Sequence, residues 1–142
     1  MFRLAFLAAT VLICLASVSC QSYSTGLQQG VTRADETAAL GALRTIATVQ
    51  QTYSVSNGGN YATFQQLVAG DYLDSRFNSD KPALRDYVLA MTVGSDSGGP
   101  YYRCNADPVP PKTGRHYYID SSANALHINE TQSASASDPL QP

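Results

Sequence analysis

The stretch Asp35-Glu36-Thr37-Ala38-Ala39-Leu40-Gly41-Ala42-Leu43-Arg44-Thr45-Ile46-Ala47-Thr48-Val49-Gln50-Gln51-Thr52-Tyr53 decides the fold. At about 100° per residue, Ala39, Leu43, Ile46, Gln50 and Tyr53 fall within one narrow sector. Ala42 and Val49 flank it on one side, Leu40 and Ala47 on the other, while Arg44, Thr48 and Gln51 point the opposite way. The stretch is therefore expected to form one amphipathic helix, and the chain that follows must supply the surface that covers its apolar face.

Downstream, Ser56-Asn57-Gly58-Gly59-Asn60 offers the left-handed conformations that end a helix. Upstream, Thr32 and Asp35 have the spacing of a capping box, with aspartate in place of the usual glutamate or glutamine. Thr63 is expected to cap a short second helix, Phe64-Gln65-Gln66-Leu67-Val68-Ala69, that stops at Gly70. Tyr72 and Leu73 pin the next loop, and the polar run from Asp74 to Arg85 is blocked by Pro82 from forming a regular element. Strands are expected at 87–93 and 101–106, separated by the turn Gly94-Ser95-Asp96-Ser97-Gly98-Gly99-Pro100 and closed by Asp107-Pro108-Val109-Pro110-Pro111. Two more, 115–120 and 125–129, form a hairpin. Placing Ser122-Ala123 at its turn pairs Tyr117 with Ile128 and Ile119 with Leu126, and puts all four on one face. The tail 130–142 has almost no apolar content and is expected to be disordered.

At the other end, Met1-Phe2-Arg3 and the apolar run from Leu4 to Ala16 have the form of an export signal, too short to span a bilayer comfortably. Small residues then meet a cysteine in Leu15-Ala16-Ser17-Val18-Ser19-Cys20. This resembles the lipobox of bacterial lipoproteins, with Ser17 where that family prefers leucine. The resemblance implies acylation of Cys20, and Gln21 after it implies sorting to the outer membrane; cleavage by an ordinary signal peptidase nearby is the alternative. The organisation expected is a signal at 1–19, a tether at 20–32 that is polar, glycine-containing and aperiodic, one α+β domain at 33–129 and the tail at 130–142.

A chain of 142 residues with a formal net charge of −2 and only 14% charged residues is one domain with a modest core. It carries no basic run that would track phosphates, so nucleic acid is not an expected partner. Nine tyrosines and four phenylalanines, without tryptophan, suit the rims of a small exported domain.

A long helix, a short connecting helix and a three- to four-stranded antiparallel sheet resemble the globular part of type IV pilins and type II secretion pseudopilins. The resemblance covers residues 34–129. It is carried by Ala39-Leu40-Gly41-Ala42-Leu43-Arg44-Thr45-Ile46, by Gln51-Thr52-Tyr53 and Asn60-Tyr61, by Ala106-Asp107-Pro108, and by Thr113-Gly114-Arg115-His116-Tyr117-Tyr118-Ile119-Asp120. The N-terminus departs from the family pattern. No glycine precedes the apolar stretch as at a prepilin cleavage site, no glutamate lies within it, and Gly26 and Gly30 lead into polar segments. The resemblance thus implies a pilin-like domain carried on a lipoprotein anchor, with envelope, pilus or secretion proteins as partners.

No constellation demands a particular chemistry. His116 and His127 share the face opposite the core in the hairpin register, yet zinc takes three or four ligands and no carboxylate or thiolate is placed beside them, so both are expected to face solvent. Cys104 is expected to be a buried apolar residue; if Cys20 is not acylated, the two could form a disulfide in an oxidising compartment. Asp71, Asp74, Asp80, Asp86 and Asp96 lack the spacing of a calcium loop, Ser97-Gly98 lacks a nucleophile-elbow context, and Asn129-Glu130-Thr131 matches a glycosylation acceptor, a match that a bacterial export signal weakens. No catalytic, cofactor-binding or metal-binding residue is expected, and Cys20 is the one site. The function expected is a non-enzymatic, membrane-tethered structural or interaction protein of the bacterial envelope. The alternative is a periplasmic ligand-binding lipoprotein using Tyr87, Tyr101, Tyr102 and Tyr118.

Overall fold

The computed structural model describes the backbone from residue 2 and the side chains from residue 26 onward, so the expected signal and the side chain of Cys20 lie outside the described residues. The chain forms two units, residues 1–34 and 35–142, and the sheet belongs to the second. Helix α1 spans Phe2–Ser56 and α2 spans Phe64–Ala69, with a 3-10 turn at Ser75–Phe77. Five strands follow: β1 (Ala83–Leu84), β2 (Tyr87–Asp96), β3 (Gly99–Pro108), β4 (His116–Asp120) and β5 (His127–Asn129). Every pairing is antiparallel and the order is sequential, β1-β2-β3-β4-β5.

The fold is α+β, with five strands rather than three or four. The additional one is β1, which the polar composition around Pro82 concealed. Ala83 and Leu84 pair with Val88 and Tyr87 across a two-residue turn in which Arg85 takes a left-handed φ of 54°. The strands at 87–93 and 101–106 are also longer than expected. Hydrogen bonding continues into the glycine-rich turn, where Asp96 faces Gly99, and down to Pro108, which faces Tyr87 at the end of the ladder.

The capping box at Thr32 and Asp35 does not form, because α1 runs through that point and has no terminus there to cap. Thr32 instead sends its hydroxyl back to the Gln28 carbonyl at 3.1 Å, the arrangement of a threonine inside a helix. Residues 26–31, within the expected tether, are helical with exposed side chains. Lack of apolar periodicity there removes a buried face without forbidding helix.

The apolar sector of α1 is buried as its spacing requires. Ala39, Leu43 and Ile46 are inaccessible to solvent, Ala42 and Ala47 nearly so, and Leu40, Val49 and Tyr53 pack at the margins. They meet Tyr87 and Leu89 of β2, Tyr102, Cys104 and Ala106 of β3, and Tyr117 and Ile119 of β4. The hairpin register is the expected one, with Tyr117 opposite Ile128. Leu126 and Ile128 both pack on the same core, although the ladder ends at Tyr118 and His127, before Ile119 and Leu126 can bond.

Gln50 lies in the middle of that apolar sector and is wholly buried. Its amide nitrogen donates to the Ala62 carbonyl at 2.6 Å, and its amide oxygen accepts from the Ala62 N–H at 3.0 Å. One side chain thus satisfies both backbone groups of a buried residue in the connection to α2. That connection is built as the sequence indicates. Gly58 and Gly59 adopt φ of 64° and 85° after α1, and Thr63 and Gln66 form a full capping box on α2. Gly70 ends α2 with φ at −93°, and the left-handed position falls one residue later, at Asp71.

The tail is not disordered. The Ile128 N–H donates to the Pro139 carbonyl at 2.9 Å and the Gln141 N–H to the Leu126 carbonyl at 2.8 Å, so residues 139–141 pair with the free edge of β5. Ala134 is buried. Low apolar content misleads here because the tail is held by polar bonds to an edge whose own backbone groups need partners.

Replacing Gln50 by leucine keeps the volume roughly and strands both backbone groups of Ala62. The expected cost is about 2–4 kcal/mol of stability, read from denaturant unfolding of the purified chain.

Candidate functional site

Two acidic residues lie on the first covered turn of α1 in the C-terminal unit. Asp35 and Glu36 are both buried, and each is answered by an arginine from the sheet. Arg85, in the β1–β2 turn, reaches Asp35 at 3.3 Å. Arg115, immediately before β4, grips Glu36 more fully. Its Nη2 donates to Oε2 at 2.7 Å, its Nε lies 3.2 and 3.3 Å from the two carboxylate oxygens, and its backbone N–H donates to Oε1 at 3.1 Å. The next glycine upstream makes this geometry accessible. The Tyr87 hydroxyl donates to the Arg115 carbonyl at 2.8 Å, and a Cβ on Gly114 would sit 2.5 Å from that hydroxyl. Glycine, arginine and tyrosine in Gly114-Arg115-His116-Tyr117 therefore each have a mechanical reason: clearance, charge and core packing.

Burial pushes the Glu36 carboxyl up, and the Arg115 hydrogen bonds outweigh it, so the group is held below its ordinary value of 4.5. The same pairing raises Arg115. At Asp120, burial is likewise outweighed, here by hydrogen bonds from the Ser122 hydroxyl and backbone N–H and from the Tyr118 hydroxyl, so that it too is lowered.

The sheet face away from α1 carries the remaining polar groups. His116 Nδ1 lies 2.6 Å from Asp107 Oδ1, and the Ser133 hydroxyl donates to Asp107 Oδ2 at 2.9 Å. Serine, histidine and aspartate meet here, but the serine proton goes to the carboxylate and not to the imidazole. The arrangement holds a strand and a tail together; it does not make the serine a nucleophile. Asn105 Nδ2 donates to the Ala134 carbonyl at 2.6 Å, His127 Nδ1 approaches the Asp138 carbonyl at 2.7 Å, and Asn129 Nδ2 donates to Asp138 Oδ1 at 2.8 Å. His116 and His127 do share a face, as the register implies. They are half-buried under the tail rather than free in solvent, because the tail, read as disordered, is seated there.

The four tyrosines do not converge. Tyr87 and Tyr102 point into the core, whereas Tyr101 and Tyr118 lie on the opposite face. Arg103 stacks over the Tyr101 ring at 4.4 Å, and Tyr118 meets His127 edge to face. A shallow hollow of about 250 Å³ lies elsewhere, between Ala42 and Thr45 of α1 and Tyr72, Phe77 and Leu84.

Cys104 is fully buried in β3 and in no disulfide among the described residues, and burial pushes its thiol well above its ordinary pKa, which disfavours the thiolate. Its pairing with Cys20, like acylation of Cys20, concerns a side chain outside the described residues. The loop aspartates serve local structure. Asp74 caps the 3-10 turn and pairs with Arg76, Asp80 accepts from Gln65, Asp86 pairs with Lys112 and Asp96 accepts from the Gly98 N–H. Among the described residues no group of three or more His, Cys, Asp and Glu side chains is placed to hold a metal ion, and no helix is long and apolar enough to cross a membrane.

No family model, curated protein or solved structure matches this chain.

The depressed carboxylates give stability a direction with pH. A group lowered on folding stabilises the native state above its unfolded pKa, and that contribution is lost as pH falls through the folded value. Stability is thus expected to fall as pH drops below about 4.5, and Glu36→Gln should flatten part of that fall. Arg115→Met, which leaves a mostly buried carboxylate with only the backbone N–H of residue 115, should cost about 2–3 kcal/mol at pH 7, less than for a fully buried pair because the arginine is half in solvent. Unfolding curves between pH 3 and 7 measure both.

Proposed function

We propose that the chain is a non-enzymatic structural or interaction protein of the bacterial envelope, a pilin-like domain tethered by a lipid on Cys20 and serving a pilus or secretion apparatus. The observation that carries this reading is the layout of the C-terminal unit: the part of α1 from Asp35 laid along an antiparallel meander, with buried carboxylates, histidines and serines spent on holding helix, sheet and tail together. A domain of that kind offers shape and surface to partners.

Separation of the four tyrosines onto two faces of the sheet weighs against the alternative, a lipoprotein that binds a small ligand in an aromatic pocket. The Ser133, Asp107 and His116 cluster, with its serine bonded to the carboxylate, weighs against acyl-transfer chemistry.

Expressed with its own N-terminus in a Gram-negative host, the protein is expected to fractionate with membranes and to carry acyl mass on Cys20, each buried CH₂ adding about 0.8 kcal/mol to anchoring. Cys20→Ser should release it or stall processing. A soluble mature form that starts near Cys20 and carries no lipid would overturn the anchor. Crosslinking in cells of a native source, from exposed Thr92 or Arg103, should recover an envelope-assembly component reproducibly; recovery of none, with the protein present and folded, contradicts the assembly role.

A further inference from the structure

The C-terminal segment binds the sheet as a peptide would. Residues 139–141 add to the β5 edge in antiparallel register, with Leu140 opposite His127. Ser133 and Ala134 cross the outer face and are held by Asn105 and Asp107. Almost everything in this attachment is polar. Ala134 is the one buried apolar residue after Asn129, and Leu140 remains 61% exposed. Such an attachment leaves little hydrophobic energy holding the segment to its own chain.

The segment is also folded on itself. Asn129 Oδ1 accepts from the N–H groups of Thr131 and Gln132, and Asp138 Oδ2 accepts from the N–H and hydroxyl of Ser135, so two local turns gather residues 130–138. Stretched out, the eight residues from 130 to 137 reach roughly 27 Å. The path out from β5 to β3 at Ser133 and back beyond β5 to Pro139 covers five strand spacings of about 4.8 Å, so the reserve of length is a few ångströms and lies in the two turns.

We propose that residues 130–142 form a detachable strap, and that the β5 edge with the adjoining outer face is a strand-addition site that accepts the strap of a second copy of this chain. The same bonds serve in cis and in trans: Ile128 and Leu126 backbone to 139 and 141, Asn105 and Asp107 to Ser133 and Ala134, and Asn129 to Asp138. A second copy is the occupant because the seated ligand is this chain's own sequence, matched to the site at every contact. Exchange remakes every bond between strap and sheet in the partner copy, and opening the two short turns, at the cost of their own hydrogen bonds, supplies the reach. The proposal concerns only the C-terminal unit and stands whether or not Cys20 is acylated.

The test uses the full chain. One preparation carries His127→Cys and a second, isotopically heavy, carries Leu140→Cys; mixed under mild oxidation, they should accumulate a 127–140 disulfide joining light to heavy chains, identified by peptide mass. Adding Asp138→Ala, which cuts one turn and the bond to Asn129, should speed that capture several-fold. A double variant within one chain is the control that the pair can close at all. If the double variant closes while mixing yields no light–heavy link, the strap does not exchange and the proposal fails. In the unsubstituted protein, the Ile128 amide should exchange its hydrogen on the order of a hundredfold faster than the central amides of β3, by local release of the strap. Exchange of Ile128 only at the rate of global unfolding would equally overturn it.

Discussion

Glu36 is a carboxylate on a helix face that a sheet covers, and Arg115 is what makes that position tolerable. A charge there without a partner would cost several kcal/mol, so helix and sheet can close only in the arrangement that brings the two together. The pair therefore selects a register more than it adds cohesion. It fixes where α1 lies along β4, and with it which apolar residues of the helix meet Tyr87, Tyr117 and Ile119. Gln50 repeats the device four turns further on with a neutral side chain, locking the far part of the buried helix to the connection that leads into α2. Between these two polar fixtures the contact is apolar, and its tolerance of sliding is removed by the fixtures at its ends.

The parts legible in the sequence were those governed by short-range periodicity. The sector from Ala39 to Tyr53, the glycine stop at Gly58-Gly59, the Thr63 cap and the pairing of Tyr117 with Ile128 all follow from spacing, and the structure has them. What escaped depends on partners distant in the chain. Asp35 reads locally as a capping residue, and only the approach of Arg85 from the β1 turn makes it a buried ion-pair partner. Gly114-Arg115 reads as a diffuse resemblance, and only the Tyr87 hydroxyl shows why a glycine must precede that arginine. The tail was misread for a related reason. Composition gauges how much apolar surface a segment can bury, and this one is held by backbone and side-chain hydrogen bonds to an open edge.

That edge also bears on function. A five-stranded meander has two exposed edges, and this one treats them differently. β1 is two residues long and pairs only with Tyr87 and Val88, so the rest of that edge is β2 itself. β5 is covered by a polar segment from the end of the same chain. The groups that first suggest chemistry, His116, His127, Asp107 and Ser133, are consumed in that covering. Polar residues thus act as fasteners at two places, between α1 and the sheet through Glu36 and Arg115, and between β5 and the tail through Asn129 and Asp138.

The central claim is that Glu36 and Arg115 act as one unit to set helix against sheet. A double-mutant cycle with Glu36→Gln, Arg115→Met and both together, measured by equilibrium unfolding at pH 7, tests it most directly. The account predicts a coupling of about 1.5–3 kcal/mol, with the double variant more stable than the Arg115→Met single variant, because no charge is then left buried alone. Additive single effects, with coupling indistinguishable from zero, would show that the two groups contribute separately and would contradict the claim.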